Sequence, residues 1–239
     1  MATIPQTAPA LLPVKPRYGA LPDGTPVEPI AHPLYSTAYV PAAALPAEIN
    51  FFQYGIGDYV PGSTIVAKAW HTNMDQGGRL ASPRHHLITG VRVYAQPLIC
   101  SAAGAITIEA TKTGAAYASD AAFEDMVFLT QCGVLQIDHN NKTIVEQPTG
   151  LTPGNYGFAG VANVDYAAGT GSQSVTIVGS SGLAQTFGNR AFMLKPNEQF
   201  EVKITYPQVR QSGGSTTMQA QKGRYLTVIL DGQSIRARR

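Results

Sequence analysis

Ten of the seventeen prolines fall in the first 48 residues, at positions 5, 9, 13, 16, 22, 26, 29, 33, 41 and 46. Each proline fixes φ near −65° and removes a backbone donor. Residues 1–48 therefore read as neither helix nor central strand, but as an extended arm of polyproline character. The arm also carries Leu11, Leu12, Val14, Tyr18, Leu21, Val27, Ile30, Leu34 and Tyr35, more apolar side chains than a solvated linker would hold. It is expected to lie on a surface, with a neighbouring copy of the chain contributing that surface.

From Ile49 the pattern changes to short β-type runs punctuated by Gly, Asn, Asp and Pro. Strands are predicted over 49–54, 63–70, 86–95, 106–111, 134–137, 143–146, 156–161, 174–178, 191–194, 200–206 and 225–230. In the run at 200–206, Phe200, Val202, Ile204 and Tyr206 share one face and Glu201, Lys203 and Thr205 the other. The same alternation groups Leu87, Val91 and Val93. One apolar and one polar face per strand indicates antiparallel sheet. A single helix is predicted over 119–129, opened by Ser119 and acidic in its early turns. With no crossover helices a βαβ design is excluded. The expected fold is all-β: a jelly-roll or other Greek-key β-sandwich over residues 49–239, with one short helix and the arm in front.

Charged residues make up 13% of the chain, against roughly 25% in typical soluble domains, and the net charge is +2. A surface so poor in charge is expected to be covered by neighbours. The opening residues lack a basic region followed by an apolar one, so no secretory leader is expected. No apolar run reaches the length of a transmembrane segment. Cys100 and Cys132 lie apart, without CxxC context, and read as small buried hydrophobes.

Catalytic chemistry leaves little trace. His32, His71, His85, His86 and His139 form no HExxH or HxH spacing, and adjacent His85 and His86 would face opposite sides of a strand. The Gly179-Ser180-Ser181-Gly182 run lacks nucleophile-elbow spacing, and Gly169-Thr170-Gly171-Ser172 lacks the Lys of a phosphate loop. Asp138-His139-Asn140-Asn141 has the composition of a turn. No enzyme activity, cofactor or metal site is expected. The one charge signal is basic: Arg236, Arg238 and Arg239 close the chain, offering weak contact to nucleic acid or an acidic partner.

Three stretches carry a resemblance: Thr72 to Tyr94, a loop entering a long strand; Ala191 to Ile204, a late strand pair; and the closing Tyr225-Leu226-Thr227-Val228-Ile229-Leu230-Asp231-Gly232. Together they resemble jelly-roll capsid proteins of icosahedral bacteriophages, the tailless ones especially. Many such proteins carry two jelly rolls, whereas this chain has length for one. The resemblance implies a virion structural protein, made in the host cytoplasm, that assembles with copies of itself and other virion proteins. The alternative expectation is a head-fibre, vertex or tail-associated module recognising host glycan, with an aromatic platform within 156–166.

Overall fold

The computed structural model describes residues 27–41, 46–95, 128–152, 162–163, 174–175, 185–187, 191–206 and 223–237. They form antiparallel sheet with very little helix. The strands are β1 (Val27–Ala31), β2 (Leu34–Val40), β3 (Glu48–Phe51), β4 (His85–Ala95), β5 (Val134–His139), β6 (Lys142–Pro148), β7 (Ala162–Asn163), β8 (Ser174–Val175), β9 (Gln185–Thr186), β10 (Phe192–Leu194), β11 (Phe200–Thr205) and β12 (Arg224–Ala237).

Two sheets carry the body. In the first, β12 lies between β4 and the β1–β2 pair, while β10 and β9 line the other side of β4. The second runs β3-β11-β5-β6. Both turn apolar side chains into one cluster: Leu34, Val40, Val91, Val93, Leu226 and Val228 from the first sheet, and Phe51, Ile137, Phe200, Val202 and Ile204 from the second. Fully burying a Val, Leu, Ile or Phe contributes about 1.5–3 kcal/mol, so this shared layer is what holds the sheets face to face. The alternation expected along 200–206 is present: Phe200, Val202, Ile204 and Tyr206 are buried, and the residues between them are partly or fully exposed.

Part of the supposed arm belongs to this body, which corrects the boundary placed at Glu48. Val27 to Ala31 pair with Ala237 to Gln233, and Leu34 to Val40 pair with Leu230 to Arg224. Thus β1 and β2 line one side of β12 end to end. Pro29 is tolerated because β1 is an edge strand, and between Pro33 and Pro41 seven consecutive residues are free to donate ladder bonds. The remaining arm residues, Leu11, Leu12, Val14, Tyr18 and Leu21, lie outside the described residues.

Three further expectations are corrected. Leu87 does not share a face with Val91: the register against β12 slips at Asp231/Gly232, passing over Thr89. This bulge reverses the phase of β4, and Ile88 enters the core in place of Leu87. Residues 63–70 are not a strand but turns, with one isolated bridge from Tyr59 to Val66. There Pro61 lacks a donor and Gly62 turns the chain at φ +78°. Ser63 Oγ also accepts the Ile65 N–H at 3.1 Å, a local bond that competes with a ladder. Finally, Cys132 is exposed and unpaired; it sits in a bend just before β5, where buried Gly133 occupies the inward position. Of the helix predicted over 119–129, residues 128 and 129 are helical and the helix continues to 131, while 119–127 lie outside the described residues along with Cys100.

The turn reading of Asp138-His139-Asn140-Asn141 takes a definite form. Asn140 and Asn141 have φ of +50° and +61° and connect β5 to β6, the backbone that a tight two-residue hairpin requires and that Asn tolerates. Among the described residues no helix is long and apolar enough to cross a membrane.

Candidate functional site

The connection from β3 to β4, residues 52–84, is the largest non-strand feature of the described body. Its first half folds over the outer face of β2 and β12 as a flap. Three groups anchor it. Tyr54 Oη donates to the Thr37 carbonyl and accepts the Thr37 N–H at 3.2 Å. Tyr35 Oη donates to the Ala69 carbonyl. Asn73 Oδ1 accepts the Tyr35 N–H at 3.0 Å while its Nδ2 donates to the Pro33 carbonyl at 2.7 Å. Beneath the flap Tyr54, Val60 and Ala67 pack with Tyr39 and Tyr225 in a second, smaller core. His71 stacks on Trp70 and meets the edge of Tyr225.

The outer side of the same loop mixes exposed polar residues, Gln53, Asp58, Thr64 and Lys68, with exposed apolar ones. Ile56, Tyr59, Val66 and Trp70 remain 50%, 67%, 46% and 43% exposed, four of the six large apolar side chains exposed among the described residues. A loop that only joined two strands would gain nothing from these side chains; a surface awaiting cover would.

A cleft of about 280 Å³ opens where the β1–β2 corner meets the second half of the connection. Ile30, Leu34, Met74 and Leu80 line it together with His32 and His86, and an Asp75–Arg84 ion pair of 2.9 Å stands at its edge. Burial, and then the nearby charge of His32, push the His86 imidazole down to about 4, against a smaller opposing effect of a hydrogen bond to the His32 backbone. His71 is likewise pushed down to about 4, by burial first and by Lys68 second. Both rings are therefore neutral at physiological pH and serve packing.

At the hairpin end of the second sheet, His139 Nε2 lies 2.9 Å from Glu198 Oε2, which also accepts the Lys195 N–H at 3.0 Å. Burial alone would raise the Glu198 pKa, but these two contacts and the charge of Lys195 hold it below the ordinary range. The arrangement ties the β5–β6 turn to the β10–β11 turn. Among the described residues no three His, Cys, Asp or Glu side chains converge to hold a metal ion.

The residues singled out from sequence distribute unevenly. Leu34 is core, Tyr35 and Ile30 are half-buried on the edge of the first sheet, and Val27 begins β1. Arg236 is a residue of β12 whose register partner is Glu28; Arg238 and Arg239 lie outside the described residues. So does the 156–166 platform apart from residues 162–163. The flap went unrecognised because residues 63–70, with Val66 and Trp70, were read as a strand and the residues before them, Pro61 and Gly62 included, as the turn leading into it. A scan against protein-family models finds no match to the chain, and searches of curated proteins and of solved structures find none either.

Proposed function

We propose that the chain is a structural subunit of a bacteriophage shell, a jelly-roll sandwich that assembles with many copies of itself into an icosahedral capsid. The observation that supports this reading is the order of strands. Successive strands pass from one sheet to the other: β2 in the first, β3 in the second, β4 in the first, β5 and β6 in the second, β9 and β10 in the first, β11 in the second and β12 in the first. The resulting orders, β2-β12-β4-β9/β10 facing β3-β11-β5-β6, match those of an eight-stranded double Greek key, the jelly roll of many capsid subunits. Because that architecture also serves lectins and enzymes, the functional part of the reading rests on further properties. These are the low charge content, the exposed apolar flap and the resemblance of residues 72–94, 191–204 and 225–232.

On this reading the protein is made in the host cytoplasm, resides in the virion, and meets copies of itself and other virion proteins through uncharged faces. It carries no catalysis. The C-terminal arginines add at most a weak genome contact. Electron microscopy and light scattering of the purified protein and of particles test the proposal. Closed shells built from this chain are expected, and a strictly monomeric protein absent from particles rejects it.

A further inference from the structure

The flap over residues 52–72 has an apolar underside and, among exposed Asp58, Thr64 and Lys68, four exposed apolar side chains on its open side, and the chain has one segment whose chemistry suits them. We infer that Ile56, Tyr59, Val66 and Trp70 receive the proline-rich leading segment, residues 5–21, of a neighbouring copy. This inference rests on the shell reading given above.

The chemistry is that of an aromatic platform for a polyproline helix. Such a helix exposes its side chains at three residues per turn and binds to Trp- and Tyr-bearing surfaces at little entropic cost, because it is extended beforehand. The leading segment carries Pro5, Pro9, Pro13 and Pro16, and the spacing of Leu11 and Val14 puts them one such turn apart. On the flap, Tyr59 and Val66 are bridged neighbours. Trp70, the single tryptophan of the chain, lies edge-on to Tyr225 with centroids 5.4 Å apart, is stacked by His71, and stays 43% exposed. The inner residues Tyr54, Val60 and Ala67 hold the platform rigid.

Direction favours a neighbour over the chain's own flap, and reach permits one. Val27 is the register partner of Ala237, at the end of β12 far from Tyr225. From Val27 to Val40 the chain advances toward the flap end, ending opposite Arg224. Val27, the first described residue, therefore lies at the end of the sandwich away from the flap. To reach its own platform the segment would have to reverse and run back some twelve strand residues, about 40 Å at 3.3 Å per residue. Continuing outward, 26 residues at 3.1 Å each span about 80 Å. A body of this chain length is only about 45 Å across by the size scaling of compact domains.

The experiment uses full-length protein in which Tyr59 is replaced by the photo-cross-linking residue p-benzoylphenylalanine, mixed with copies uniformly labelled with ¹⁵N. Particle formation is read first by electron microscopy. The particles are then irradiated and digested for mass spectrometry. Cross-links from position 59 of a light chain to residues 5–21 of a heavy chain are expected. Particles that give only cross-links within one chain, only cross-links to a neighbour's sandwich, or none overturn the inference and leave the shell reading standing. Absence of particles under all conditions, virions included, rejects both. A second variant, Tyr59→Ser with Val66→Ser, changes only exposed side chains. It is expected to raise the concentration needed for assembly about tenfold, the equivalent of 1.4 kcal/mol per contact, with an unchanged thermal midpoint. Unaltered assembly in that variant, or a host glycan that binds the wild-type flap and not the variant, would count against the arm as occupant.

Discussion

Single residues set where this sandwich tolerates no change. A Cβ added at Gly232 would sit 2.2 Å from the Leu87 carbonyl oxygen, at the point where the β4–β12 register slips. The atom in the way is backbone, so relief requires the two longest strands to separate. Gly232→Ala is expected to cost about 2–3 kcal/mol, as overpacked core sites do, measured as a lower urea midpoint with an unchanged slope. The two buried histidines define a pH dependence. Their folded-state pKa of about 4 lies below the unfolded value of 6.5. Between those limits the unfolded chain binds more protons, and stability rises with pH. The stabilisation is fully present above about pH 6.5, and is lost as pH falls toward 4. For His71 the loss has a visible cause: Nδ1 accepts the Lys68 N–H at 3.0 Å, and a proton there would remove the acceptor. Urea midpoints at pH 7.5, 6 and 4.5 are expected to fall in that order, and His71→Gln with His86→Gln to flatten the trend. Retention of the full slope in the double variant would reject this assignment. The carboxylates of Asp138 and Glu198, held below their ordinary range, add a separate loss at still lower pH.

At the scale of elements, the edge strand β2 decides what the leading segment is. Leu34, Ala38 and Val40 face the shared core, and on the outer face Thr37 Oγ1 meets Thr227 Oγ1 at 2.9 Å. Fully burying Leu34 and Val40 contributes about 1.5–3 kcal/mol each, against a typical net stability of about 5–15 kcal/mol. Two truncations therefore separate body from arm. A chain starting at Val27 is expected to keep the near-native circular dichroism and cooperative melt of the full protein, whereas one starting at Ile49 is expected to lose the cooperative transition. A folded chain from Ile49 would restore the original boundary. The strands that were legible in the sequence, such as Phe200–Thr205, are those whose own alternation faces a single core. Those misread depend on something other than local pattern. Leu34 to Val40 is buried on both faces, so Thr37 and Tyr39 break the alternation that would have marked it, and nearby prolines outweighed a seven-residue run that contained none. The bulge at Thr89 is invisible locally, because it is defined by the partner strand. The flap failed as a strand for the reason it works as a flap: Val60 and Ala67 turn inward while Tyr59 and Val66 turn outward, an alternation like that of a strand, folded by Pro61 and Gly62 into a compact loop.

For the molecule as a whole, the question is which force would join copies, and charge and apolar area predict different salt behaviour. With 17 basic and 15 acidic residues spread over 239, and four of the six exposed large apolar side chains among the described residues on one flap, subunit contacts should be governed by buried area. Electrostatic attraction between exposed groups is screened within about 8 Å at physiological ionic strength and less than that at higher salt, whereas apolar burial does not weaken with added salt. The concentration at which particles form is therefore expected to change by less than about threefold between roughly 0.1 and 0.5 M sodium chloride, followed by light scattering. The C-terminal arginines supply the contrasting case. Each phosphate contact contributes about 0.7–0.9 to the slope of log affinity against log salt, so replacing Arg238 and Arg239 by Ala can lower the slope for single-stranded DNA by less than about 2. It should leave the assembly threshold where it was, because these arginines are not part of the apolar contact. A threshold that instead rises steeply with salt, and rises further in the arginine variant, would mean that nucleic acid neutralisation, and not the covered flap, brings the subunits together.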